Sequence, residues 1–161
     1  IYTTMINLFS RFTPPLRFIP FSTDPLGYRA GFPVIGMVDA GRYRFEVLES
    51  PGGHLHGQVY LYCREIGVLF TADTVINFGH LTPDRAAYNT LAVILVTSVN
   101  VDSEVAKHER SRVLDLARES SGLYENGRTS CLLCCGHGPV SVLSGDKLVP
   151  FGDTRHYDPA G

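Results

Sequence analysis

The run Val68-Leu69-Phe70-Thr71-Ala72-Asp73-Thr74 decides how this chain reads: an apolar stretch of strand character that stops at a carboxylate. A charge at the mouth of an apolar strand is costly unless a cation or several donors meet it. In the plainer reading Asp73 and Thr74 cap the loop that follows, as Asp-Thr pairs commonly do. Two other phrases share the form. Gly53-His54-Leu55-His56-Gly57 brackets a His-x-His pair with glycines, and Cys135-Gly136-His137-Gly138-Pro139 lies directly behind the apolar run Cys131-Leu132-Leu133-Cys134-Cys135. Flanking glycines let the backbone bend tightly enough for an imidazole to approach an ion. Taken singly, each histidine reads first as an ordinary loop residue, and a lone His-x-His pair is a weak signal.

Composition bounds the rest. The 161 residues, 44% hydrophobic and 11% aromatic, suffice for one core and hence one domain. Its expected parts are an N-terminal arm over 1–32, a core over 33–150 and a tail over 151–161. Lys and Arg total 14 against 16 Asp and Glu, a net charge of −2, and no basic block is present to track a phosphate backbone, so nucleic acid is disfavoured. The longest apolar stretch, Leu91 to Val96, is far too short to cross a bilayer, and the start lacks the pattern of a signal peptide; neither membrane nor export is expected. Cys63, Cys131, Cys134 and Cys135 are too few and too clustered for a disulfide framework and read as reduced thiols of a cytoplasmic protein. The first residue, Ile1, suggests a processed or truncated start.

Along the chain, Met5, Leu8, Phe9 and Phe12 recur at helical spacing within Ile1 to Phe12, and Pro14-Pro15 ends that helix. Residues Pro20 to Gly36 read as extended loop with short strand pieces. Strands are predicted over Tyr43 to Leu48, Gln58 to Cys63 and Val68 to Thr71, the last two joined as a hairpin by Arg64-Glu65-Ile66-Gly67. Thr82-Pro83-Asp84 starts a helix that runs to about Val96. A second helix begins near Asp102, turns Val105, Val113, Leu116 and Ala117 inward and stops before Gly122. Its Glu104, Glu109 and Arg110 read as a solvated face without a role. Thr129 to Cys134 is a strand that delivers His137, Ser141 to Val149 pairs beside it, and Arg155 to Gly161 is a loose tail.

His54, Asp73 and His137, in this order and spacing and with Ser50-Pro51-Gly52, Val59-Tyr60-Leu61-Tyr62 and Gly67-Val68-Leu69-Phe70 around them, resemble the later metal motifs of the metallo-β-lactamase superfamily. The resemblance covers about Phe21 to Leu148, the family's C-terminal half. It implies an α+β fold: a metallo-β-lactamase-like β-sheet with flanking helices, half of an αββα sandwich. It further implies that His54 ligates a first metal, His137 a second, and Asp73 bridges the two as the catalytic carboxylate, facing water that the cations activate. Zinc is the default metal, with iron or manganese possible, since histidine and carboxylate accept all three.

Three departures stand out. Ala72 occupies the place of the family's glycine before the bridging aspartate. An extra glycine in Ser50-Pro51-Gly52-Gly53-His54 leaves His54 and His56 as alternatives, of which His54 keeps Gly57 and Val59 in their family places. Above all, the family's first motif, His-x-His-x-Asp-His, occurs nowhere in the chain, so one acid and two imidazoles remain where a hydrolytic two-metal centre needs more. His80 could approach the site, and Cys134 or Cys135 could offer thiolates, although buried small hydrophobes are the better account of the cysteines. The chain therefore reads as a metal-dependent hydrolase in incomplete form, acting on a small molecule such as a thioester, lactone, phosphodiester or β-lactam. The alternative is a degenerate, non-catalytic scaffold that serves as an interaction module; a cysteine-based metal-storage or redox protein is a weaker third. A half-sandwich leaves an apolar sheet face to cover, by a homodimer partner or by the missing N-terminal half.

Overall fold

Alternating apolar residues and tight turns fold the chain into a single mixed sheet of eight strands with one helix packed on it, in a computed structural model that describes residues 20–77, 100–122 and 124–152. The strands are β1 (Gly27–Arg29), β2 (Phe32–Ala40), β3 (Tyr43–Glu49), β4 (Val59–Cys63), β5 (Val68–Ile76), β6 (Leu132–His137), β7 (Ser141–Ser144) and β8 (Lys147–Pro150). They lie in the sheet in sequence order. Neighbours pair antiparallel, through short turns except for the loop Ser50 to Gln58 between β3 and β4; only β5 and β6 run parallel, Val68 opposite Leu132 and Phe70 opposite Cys134. A parallel pair needs a crossover, and the helix α1 (Ser103–Glu119) belongs to it.

Asp102 starts α1 by accepting the backbone amides of Glu104 and Val105 at 3.0 Å each. The helix ends at a Ser120 cap in right-handed conformation; Gly122, read from the sequence as the terminator, lies beyond it and hydrogen-bonds to Thr129 instead. Ala106, Val113, Leu116 and Ala117 face the sheet, where Phe32, Leu48, Tyr60, Tyr62, Leu69 and Leu133 complete the core. Phe32 meets Tyr60 edge-on with ring centroids 5.2 Å apart, and the Arg112 guanidinium lies 4.2 Å above the Phe32 ring.

The opposite sheet face is also apolar. Register places Val47, Leu61, Val68, Phe70, Leu132 and Cys134 there, Phe70 remains 43% exposed, and α1 does not reach this side. All four cysteines are free thiols. Among the described residues no helix is long and apolar enough to cross a membrane.

Several boundaries differ from those expected. The sheet begins at Gly27, inside the segment read as an arm, and Phe32 is fully buried. The stretch from Ser141 onward is two strands, because Gly145 at φ +60° turns β7 back into β8. Strand β5 runs on through Asp73 to Ile76, and β6 ends on His137 itself. The helices expected over Ile1 to Phe12 and Pro83 to Val96, His80, and the tail from Arg155 lie outside the described residues.

Candidate metal centre

Asp73 owes its direction to an irregularity in β5. The register against β6 slips between Phe70 and Ala72 and again before Ile76, and Ala72 holds a φ of +46°, the left-handed region where glycine is at home. Such bulges re-aim side chains at sheet ends. The Asp73 carboxylate comes to lie over Gly136 of β6, where an added Cβ would stand 2.0 Å from Oδ1. Only a glycine leaves that space.

His54 reaches the same place from the β3–β4 loop. Gly53 passes so close to the start of α1 that a Cβ on it would lie 2.2 Å from the Ala106 nitrogen. The Gly53 and His54 carbonyls accept the amides of Asp102 and Val101, which pins the loop to the head of the helix. His137 arrives at the end of β6, its carbonyl accepting the Asn77 amide at 3.0 Å, and Gly138 turns the chain away at φ +96°.

Three residues far apart in sequence thus meet at one edge of the sheet. His54 Nε2 stands 3.6 Å from Asp73 Oδ2, and His137 Nε2 stands 3.6 Å from Asp73 Oδ1. These gaps are too long for hydrogen bonds. They match the spacing of two donor atoms that share an ion at about 2.0–2.2 Å from each. The His54 side chain is 17% exposed and that of His137 62%, so the cluster opens to solvent on the His137 side.

The tautomer of His54 sharpens the picture. Its Nδ1 lies 2.9 Å from the Asn100 side-chain oxygen, an acceptor, which places the ring proton on Nδ1. The bond holds the ring so that Nε2 faces a carboxylate oxygen of Asp73, the direction in which a metal-ligating nitrogen would point. The donors present, two imidazoles and a carboxylate, fit zinc, iron or manganese in kind. In number they fall short: among the described residues no three His, Cys, Asp or Glu side chains surround a single point as a metal cage. The carboxylate lies between the imidazoles with one oxygen facing each.

Other candidates stay away. His56 is exposed and folds back over Gly52. Cys135 sits against the core and Cys134 on the opposite face, both half-buried, and burial pushes both thiols up, so neither offers a ready thiolate. A separate cleft of about 520 Å³, lined by Tyr28, Tyr62, Arg64, Ser120 and Tyr124, lies at the far end of α1. It contains none of the three clustered residues.

Two residues set aside in the sequence support the cluster. Glu109, read there as solvated, is 1% exposed. Its Oε1 accepts the Ser50 hydroxyl, the Gly52 amide at 3.3 Å and the Tyr60 hydroxyl at 3.2 Å, while Oε2 accepts the Gly53 amide at 3.0 Å. The spacing Ala106, Glu109, Val113 puts it on the buried stripe of α1, a signal the charge concealed. Arg110, also assigned no role, donates from Nε to the Thr74 carbonyl at 2.9 Å, one residue beyond Asp73.

No family model, curated protein or solved structure matches this chain.

Proposed function

We propose that this chain carries the later half of a metal-dependent hydrolase centre of the metallo-β-lactamase type, with His54 and His137 on separate metals and Asp73 between them. The observation that carries the reading is the pair of imidazole Nε2 atoms facing different oxygens of one carboxylate at 3.6 Å, with the His54 ring held through Nδ1 by Asn100. Zinc is the first choice, and iron or manganese suit the same donors. When bound, such ions supply Lewis acidity towards a small-molecule ester, thioester, lactone, phosphodiester or lactam.

The chain's own residues set the geometry. Asn100 holds the His54 ring, Gly136 makes room for Asp73, and the Ala72 bulge turns the carboxylate outward. The remaining ligands would come from a His-x-His-x-Asp-His loop outside these residues. Alone, the chain has little hydrolase activity and binds zinc weakly, because a partial site forfeits much of its affinity. Competition titration with zinc tests this: weak uptake by the wild-type chain should vanish in Asp73→Ala. Equal uptake by both would refute the reading.

A non-catalytic scaffold is the second reading, favoured by the apolar sheet face with Phe70 at 43% exposure. In either case a homodimer across that face is the expected cover, and sedimentation at low micromolar concentration should show two chains per particle.

A further inference from the structure

A single buried carboxylate holds the loop that presents His54 and is linked through Tyr60 to the strand that presents Asp73. Glu109 takes the amides of Gly52 and Gly53, immediately before His54, and the hydroxyl of Ser50 at the root of the same loop. Through Tyr60 it also reaches the strand end that bears Asp73. Gln58 Nε2 donates to Thr74 Oγ1 at 2.5 Å, Thr74 and Tyr60 share a hydroxyl contact of 2.9 Å, and the Tyr60 hydroxyl donates to Glu109. Because Tyr60 Oη gives its proton to Glu109, it accepts that of Thr74, and Thr74 in turn accepts from Gln58. The chain of donors runs one way and ends on the carboxylate. Burial pushes the Tyr60 hydroxyl up, which keeps it a donor.

We infer that Glu109 is a positioning residue, one that holds the His54 loop and the Asp73 strand end in a fixed relation so that both face the same point. All four partners are donors, so an acceptor-only side chain is required. A glutamine of the same shape would set its NH2 against at least one of them, and a buried donor facing a donor is costly. The inference deepens the metal-site reading and rests on it for its zinc measurement; its ring measurement stands independently.

The test uses the whole chain as wild type, Glu109→Gln and Val113→Ala, the last a core substitution that lowers stability and removes none of the network's hydrogen bonds. In metal-free protein, long-range proton–nitrogen NMR of the His54 ring should show one tautomer, protonated on Nδ1, in wild type and Val113→Ala, and a mixture in Glu109→Gln. Zinc affinity by competition should fall at least tenfold in Glu109→Gln and stay within about threefold in Val113→Ala, in line with other residues that orient ligands. Unchanged ring spectra and affinity in Glu109→Gln, or equal losses in Val113→Ala, would overturn the inference. If wild type takes up no zinc, the metal reading falls and the ring spectra alone decide Glu109. Should Glu109→Gln fail to fold, Ser50→Ala and Tyr60→Phe each remove one bond to the same carboxylate. Either should give a smaller change of the same kind, and no change in both would overturn the assignment.

Discussion

Replacing Gly136 by alanine sets one methyl group against the strand bulge that aims Asp73. The new Cβ would stand 2.0 Å from Asp73 Oδ1 and 2.7 Å from both the carbonyl carbon and oxygen of Ala72, where real Cβ atoms do not come within 3.0 Å. The carboxylate can swing aside by rotating its side chain; the Ala72 main chain cannot, because it belongs to a strand paired with β6. Part of the overlap must therefore be relieved by separating β5 from β6. Overpacking of this kind costs about 1–3 kcal/mol. For a domain of this size each kcal/mol lowers Tm by roughly 2–4 °C, so a fall of roughly 2–12 °C is expected. The displaced carboxylate should also cost at least tenfold in zinc affinity, on the order of what misdirected ligands lose. Thermal melts and zinc competition on Gly136→Ala check both numbers against Gly122→Ala, where an added Cβ meets nothing within 4 Å. A Gly136→Ala protein that melts with wild type and binds zinc equally would show that Asp73 does not lie over β6.

Ala72→Gly should act in the opposite direction: relief of the left-handed backbone returns about 1–2 kcal/mol, the looser unfolded chain takes back about 0.5–1, and Tm should rise by up to about 6 °C, and not fall, in a thermal melt. Asn100→Ala removes the acceptor that orients His54 and should weaken zinc binding by roughly 10–100-fold in a competition titration, with the melting temperature nearly unchanged. Burial pushes the Cys131 thiol from its ordinary 9.0 up to about 12. Between those values the folded chain keeps a proton that the unfolded chain has released, so this stabilising contribution is complete below pH 9 and declines towards pH 12. The slope is at most about 1.4 kcal/mol per pH unit. Denaturant midpoints from pH 8 to 11 should fall, and fall less steeply in Cys131→Ala.

The meeting of His54, Asp73 and His137 was legible because strand-like runs ending in glycine-flanked polar residues carry their own geometry: strand ends on one side of a sheet gather loops from distant segments. The α1 start was equally plain, since Asp102 has one dominant use before a run of helix formers. What escaped was anything that depends on depth. Glu109 looks like solvent chemistry by composition, and only its place between Ala106 and Val113 betrays that it faces inward. Ala72 carries no sign of its left-handed backbone, because alanine has no preference for it. Gly145-Asp146 is a turn pair between two apolar runs, and its turn chemistry outweighs the strand character that predicts one longer strand from Ser141 to Val149.

The parallel seam between β5 and β6 divides the cluster by time as well as by space. Strands β1 to β5 pair with their sequence neighbours through local connections and can form early, as can the β7–β8 hairpin. Joining Val68 to Leu132 requires a long stretch of chain to close, so this pairing carries the larger loop-closure cost. His54 and Asp73 are carried by the early half, whereas His137 arrives with β6. The constellation is therefore complete only when this long-range pairing is made. An ion that bridges the seam would act as a latch, adding its binding free energy to the pairing with the longest loop to close.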